Sequence, residues 1–274
     1  MSLFEAIIIA IVEGLTEFIP ISSTAHMIFT STFFGIQEDD FVKMFQVSIQ
    51  FGAILAVVVL YWRKFFDFKN LNFYLKLACA VIPALVLGYL LDDIIESALG
   101  NPLPIAIVMV LGGVVLLFID RLFNNPQIDD EKKISFPKAI VIGFWQCLAM
   151  MPGVSRSAAS IIGGMQQKLT RSTAAEFSFF LAVPTMLAVT VYSIFLKDWK
   201  GSGAEKKGYE MILENKQTIT MFLAGNLVAF VVALLAIRFF IGFLKKYGFK
   251  IWGYYRIAVG LLLIILLLAG VVKG

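Results

Sequence analysis

The sequence predicts an all-α integral membrane protein with six transmembrane helices plus two re-entrant helical hairpins in an inverted-topology repeat. Of its 274 residues, 59% carry hydrophobic side chains and the mean hydropathy is +0.87, well above the roughly 45–50% apolar usage of soluble domains. Six windows are long and apolar enough to cross about 30 Å of hydrocarbon. Two further apolar stretches are broken, one at Pro20 and one at Pro152-Gly153, and both breaks are flanked by ionisable and hydroxyl residues. A barrel would need short alternating strands instead.

The first hairpin opens the chain. Residues 3–19 look hydrophobic but contain Glu13 and Glu17. Their ten Leu, Ile, Val and Phe residues favour insertion by roughly 3–6 kcal/mol, against roughly 5–7 kcal/mol for two central acids, so the segment is not expected to cross alone. Pro20 must end or bend the helix, and Ser22 and Ser23 offer capping hydroxyls for a second short helix running through Met27 to Phe34. The N-terminal segment has no basic region and three glutamates, which argues against a cleaved signal peptide.

Three spans are expected next, over residues 44–62, 73–91 and 102–119. The second broken element lies between 136 and 170, where IVIGFWQCLAMM meets Pro152 and Gly153 and the chain restarts at Ser155. Three more spans follow, over 177–196, 218–241 and 251–272. An ungapped shift of 133 places Ser22 on Ser155, Ala25 on Ala158 and Leu15 on Leu148. A hairpin followed by three spans, twice over, reverses the orientation of the second half, because three crossings is an odd number. The chain thus reads as a single polytopic domain, 1–274, with repeat 1 at about 1–119 and repeat 2 at about 134–272. In such folds the broken elements meet near the midplane and build a site from helix termini.

The formal charge of +4 does not point to nucleic acid, because the basic residues form no stripe or arm. Arg63, Lys64, Lys69 and Lys76 fill one junction, Arg121, Lys132, Lys133 and Lys138 another, and Arg238, Lys245, Lys246 and Lys250 a third. Asp92, Asp93 and Glu96 fill an intervening junction that has no Lys or Arg. By the positive-inside rule the basic junctions are cytoplasmic and the acidic one external. The 197–217 loop, with five lysines, runs against this alternation. Cys79 and Cys147 lack metal-ligand spacing and read as packing residues.

Glu13 and Glu17 stand four apart on one helical face, and at depth two such carboxylates must share a proton or hold a cation, Mg²⁺ or Ca²⁺. Ser22, Ser23, Thr24 and His26, the single histidine, follow the first break, where a helix N-terminus forms a ready anion site. Ser155, Arg156 and Ser157 follow the second break. A guanidinium at depth needs an anionic partner, and its fork matches phosphate oxygens. Taken singly, Arg156 could be a static ion-pair partner of Glu17 and the serines simple caps. Together these groups suit attack on a phosphorus ester or anhydride.

The segments VEGLTEFIPISSTAH, GFWQCLAMMPGVSRSAAS and AEFSFFLAVP resemble the signatures of the bacterial undecaprenyl-diphosphate phosphatases, the bacitracin-resistance proteins, and the likeness runs over nearly the whole chain. The resemblance implies hydrolysis of undecaprenyl diphosphate to undecaprenyl phosphate and inorganic phosphate, recycling the lipid carrier of peptidoglycan and other cell-wall polymers. It implies Glu17, Ser23, His26 and Arg156 as catalytic residues, Glu13, Ser22, Thr24, Ser155 and Ser157 at the substrate, and Glu13 with Glu17 at a metal. It further implies a multi-pass protein of the bacterial inner membrane with a site open to the external face and a polyprenyl diphosphate lipid as partner. A homodimer is also an expectation. The family commonly has glycine where this chain has Ala25 and Ala158. His26, Ser23 and a metal-bound water all stand as candidate nucleophiles, and a polyprenyl-phosphate transporter or flippase is the alternative function, since discontinuous helices are common in transporters.

Overall fold

The structure, a computed structural model, describes residues 1–200 and 205–270. The first broken element comprises α1 (Leu3–Thr16) and α2 (Ser23–Phe33). α1 starts in a capping box between Ser2 and Glu5, which satisfies two otherwise orphaned N–H groups. The first span, Asp40–Leu60, is continuous in path but interrupted near Ile49, giving α3 (Asp40–Ser48) and α4 (Gln50–Leu60). The short α5 (Trp62–Phe65) leads to α6 (Leu71–Leu90), then α7 (Asp92–Leu99) and α8 (Pro102–Leu122).

The second broken element is α9 (Phe136–Cys147) and α10 (Arg156–Gln166). α11 (Arg171–Val191) continues through a π-helical turn to Leu196, and α12 (Gly208–Leu213) precedes α13 (Lys216–Tyr247) and α14 (Lys250–Leu268). Six of these helical segments are long and apolar enough to cross a membrane, and they fall on the six expected windows. α13, at 32 residues, overruns its window at its C-terminal end, because the amphipathic turn through Lys245 and Lys246 keeps its helical pattern beyond the apolar stretch. The end of the last window, 271–272, lies outside the described residues. Within the 197–217 loop the chain pairs two short antiparallel strands, β1 (Asp198–Lys200) with β2 (Glu205–Lys207).

The outside of the bundle is apolar. Only 17% of the apolar window of α14 is buried inside the protein, and Phe33, Tyr89, Leu111 and Leu268 stand exposed. Exposed apolar surface of this kind suits lipid, not water.

Small residues set the helix spacing inside. A Cβ on Gly14 would lie 2.7 Å from the Ala229 carbonyl of α13, and Gly143 of α9 meets the backbone of α6 at Ala80. Close backbone approach of this sort replaces the hydrophobic driving force that lipid does not supply. Helix pairing follows a pattern: α1 packs on α13 and α9 on α6, α4 on α13 and α11 on α6, and α8 on α14. Exchanging α1, α4, α6 and α8 for α9, α11, α13 and α14 respectively leaves this set of pairs unchanged.

Candidate functional site

Both helix breaks close in the same way. Ser22 is the N-cap of α2 and its Oγ accepts from the Ala25 N–H at 3.4 Å, while Ser155 caps α10 and its Oγ accepts from the Ala158 N–H at 3.2 Å. These are the positions that the shift of 133 equates. Ser22 adopts φ 72°, a left-handed conformation uncommon for a residue with a Cβ and held here by the surrounding contacts. Gly153 has φ +94°, and a Cβ there would lie 2.6 Å from the Ile105 carbonyl, so both backbone conformation and the approach to α8 require glycine.

The breaks bring side chains from the two halves together. Ser23 Oγ donates to Glu17 Oε2 at 2.5 Å. The other oxygen, Glu17 Oε1, accepts from Arg156 Nε at 3.3 Å and Nη2 at 3.2 Å, across 139 residues of sequence. Arg156 Nη1 donates to the Ser178 carbonyl at 3.0 Å, in α11. Ser157 Oγ donates to the Ile19 carbonyl at 3.0 Å. Its hydrogen being committed there, the 2.9 Å contact between the two serine hydroxyls is a donation from Ser155 to Ser157. The ion pair between Arg156 and Glu17 is nearly buried, 12% and 6% exposed, so neither charge can lose its partner cheaply.

Glu17, Ser22, Ser23, Thr24, Ser155 and Arg156 line one cavity of about 440 Å³. The rest of its wall is largely apolar, with Leu85, Ile95, Leu99 and Val189 among the lining residues. Seven lining positions, from Ala84 to Leu99, come from α6 and α7. The cavity thus joins a polar floor at the two helix N-termini to an apolar wall.

Three of the expected site residues stand outside that wall. Glu13 is fully buried one turn behind Glu17, and both its carboxylate oxygens lack a hydrogen-bond partner. Ser157 serves the contact between the breaks. His26 stacks on Tyr255 of α14, with Nε2 at 2.9 Å from the Tyr255 hydroxyl and Nδ1 at 2.8 Å from the Ser22 carbonyl. A carbonyl can only accept, so Nδ1 carries the proton and the tyrosine hydroxyl donates to Nε2.

Sequence reading passed over Arg256, which sits in the apolar window of the last span. It is 1% exposed and donates from Nε to Met109 O at 3.1 Å, from Nη1 to Pro20 O at 3.2 Å and from Nη2 to Gly153 O at 2.8 Å. The available signal was an ionisable residue within a span, which is by default a functional position. It also missed Gln146, whose side chain lines the cavity and donates to Thr185 Oγ1 at 3.1 Å.

Comparisons with known proteins show which family the chain belongs to. The family described as bacitracin resistance protein BacA matches residues 6–262. A Flavobacterium johnsoniae protein named undecaprenyl-diphosphatase is 52% identical over 267 residues, covering 97% of this chain and 96% of its own length. Proteins of the same name from Porphyromonas gingivalis and Aquifex aeolicus are 49% and 40% identical, over 99% and 95% of this chain and 99% and 97% of their own. With its six apolar helices, this chain is a multi-pass inner-membrane protein and belongs to the BacA bacitracin resistance family.

Proposed function

We propose that the protein hydrolyses undecaprenyl diphosphate to undecaprenyl phosphate and inorganic phosphate, in the cavity where the two helix breaks meet. The observation that carries this is the convergence, across 139 residues, of a carboxylate, a serine hydroxyl and a guanidinium at two helix N-termini beside an apolar wall. The relatives named undecaprenyl-diphosphatase support the same substrate. The apolar wall suits the prenyl chain, and the polar floor suits the diphosphate.

Arg156 and the N–H groups of the first turns of α2 and α10 are placed to stabilise charge on the phosphoryl oxygens. Glu17 accepts the hydrogen of Ser23, the arrangement of a base beside a nucleophile. In the reaction we propose, Glu17 takes that proton as Ser23 Oγ forms a bond to the terminal phosphorus. The anhydride P–O bond breaks and undecaprenyl phosphate leaves. Water then attacks the phosphoserine, the Ser23 oxygen recovers its proton from Glu17, and inorganic phosphate leaves as dihydrogen phosphate carrying both hydrogens of the water. His26, outside the cavity wall, acts by holding the Ser22 carbonyl and with it the strained entry to α2.

Glu13 fits a divalent cation, Mg²⁺ or Ca²⁺, because its two oxygens are hard ligands buried without partners, one turn from Glu17. Glu13 and Glu17 would hold the ion, and bound there it would supply positive charge against the phosphoryl oxygens. Asp92 lines the cavity and belongs to the acidic junction, which supports a site opening to the external face.

The helix pairing that survives exchange of the two halves supports the inverted-topology reading, with repeat 1 at about 1–119 and repeat 2 at about 134–272. The same symmetry favours a second reading, translocation of a polyprenyl phosphate. One measurement separates them: release of phosphate from undecaprenyl diphosphate by the purified protein in detergent, where there is no second compartment. Hydrolysis requires turnover there, and loss of turnover in Arg156→Ala. Binding without turnover would leave only the carrier role.

A further inference from the structure

We infer that Arg256 is a positioning residue that clamps the two helix breaks together, setting the separation between Ser23 with Glu17 on one side and Arg156 on the other. The inference rests on the phosphatase reading of that site. Arg256 is enclosed, and among the described residues no carboxylate pairs with it; all three of its hydrogen bonds go to main-chain carbonyls. Keeping a guanidinium at depth is costly, and the cost is offset only when its donors are well used.

The carbonyls it holds are particular. Pro20 and Gly153 sit at the two breaks, where helix hydrogen bonding has lapsed and carbonyls are otherwise orphaned. Each lies three residues before a side chain of the site, Ser23 and Arg156 respectively. One planar fork therefore joins the two peptides on the N-terminal side of both helices, while Nε anchors it to α8 through Met109. Ser157 to the Ile19 carbonyl is a second link across the same seam. Gly112 and Gly113 of α8 make room: a Cβ on Gly112 would run into the guanidinium, and one on Gly113 would lie 2.9 Å from Arg256 Cβ. An ammonium in place of the fork keeps the charge but cannot span both carbonyls in one plane.

The test is steady-state phosphate release from undecaprenyl diphosphate by the purified full-length protein and its Arg256→Lys and Arg256→Met variants. Rates are normalised to folded, monodisperse protein by size exclusion and thermal unfolding. Misplacement of reacting groups by about 1 Å costs on the order of 10²-fold in rate, so kcat should fall by about that factor in both variants while KM stays within about threefold. Lysine should not rescue. Combining Arg256→Lys with Ser157→Ala should lower kcat by more than the product of the single losses, since both links hold one seam.

Parent kcat in folded Arg256→Lys, or a loss confined to the amount of folded protein or to KM, would overturn the inference while leaving the phosphatase reading intact. If neither Arg256 variant folds, Gly112→Ala decides: it keeps the guanidinium but crowds it, and should lower kcat with KM retained, whereas parent kcat there overturns the clamp. No turnover by the parent protein would sink both.

Discussion

Ser23 Oγ donates a 2.5 Å hydrogen bond to Glu17 Oε2, and the opposite oxygen of the same carboxylate takes two N–H groups from Arg156. Glu17 is therefore shared between the two halves, an acceptor for Ser23 and a counter-ion for Arg156. In the proposed reaction Ser23→Ala removes the attacking oxygen, and Glu17→Gln removes the base. Each should lower kcat by about 10²–10⁴-fold in phosphate release. Parent-like turnover in Ser23→Ala would remove the serine from the chemistry.

Arg156 and Glu17 form a nearly buried pair, so truncating one partner leaves the other charge uncompensated. Arg156→Met should destabilise the protein by about 3–5 kcal/mol. Adding Glu17→Gln to it should restore much of that stability, since both charges are then gone, yet leave activity at background. Thermal unfolding in detergent and phosphate release, measured on the same preparations, read the two effects separately.

The proposed cation at Glu13 and Glu17 makes phosphate release depend on a divalent ion. Thorough chelation should abolish phosphate release, and Mg²⁺ or Ca²⁺ should restore it. Glu13→Gln removes one ligand charge and should raise the cation concentration needed by on the order of tenfold. Full activity after chelation would take the ion out of the scheme.

His26 holds the Ser22 carbonyl through Nδ1 and receives the Tyr255 hydroxyl at Nε2. Tyr255→Phe deletes one neutral hydrogen bond, a loss of about 1 kcal/mol, so kcat should fall by less than about tenfold. His26→Ala also frees the strained Ser22 and should cost distinctly more. Equal losses in the two variants would mean that the tyrosine contact, not the hold on Ser22, is what matters.

Gly52 donates its N–H to Asn226 Oδ1 at 2.9 Å, and a side chain there would press into the backbone of α13 at Asn226. Gly52→Val should destabilise by about 1–3 kcal/mol through overpacking. It should lower the unfolding temperature, while the kcat of the protein that remains folded stays near the parent value, because Gly52 lies outside the cavity wall.

Much of this protein could be read along the chain. The six spans were legible because about 20 consecutive apolar residues have few other uses, and the breaks at Pro20 and Pro152-Gly153 because proline and the capping serines act locally. The pairing of Glu17 with Arg156, residues far apart in sequence, was legible as one option, because a buried guanidinium requires an acid, and the structure makes that pair. Arg256 shows the limit most clearly. In sequence it is one arginine in the last span, and nothing local says that its fork reaches Pro20 and Gly153. His26 is the converse, conspicuous as the single histidine yet turned by its helix toward Tyr255 and away from the cavity wall. The sequence by itself determined the apolar spans, the helix breaks and the kinds of group beside them, because these follow from local hydropathy and backbone chemistry. Only the tertiary structure decided which of those groups share a cavity, because that depends on how α1 and α9 pack on α13 and α6, a contact between distant backbones that no local pattern encodes.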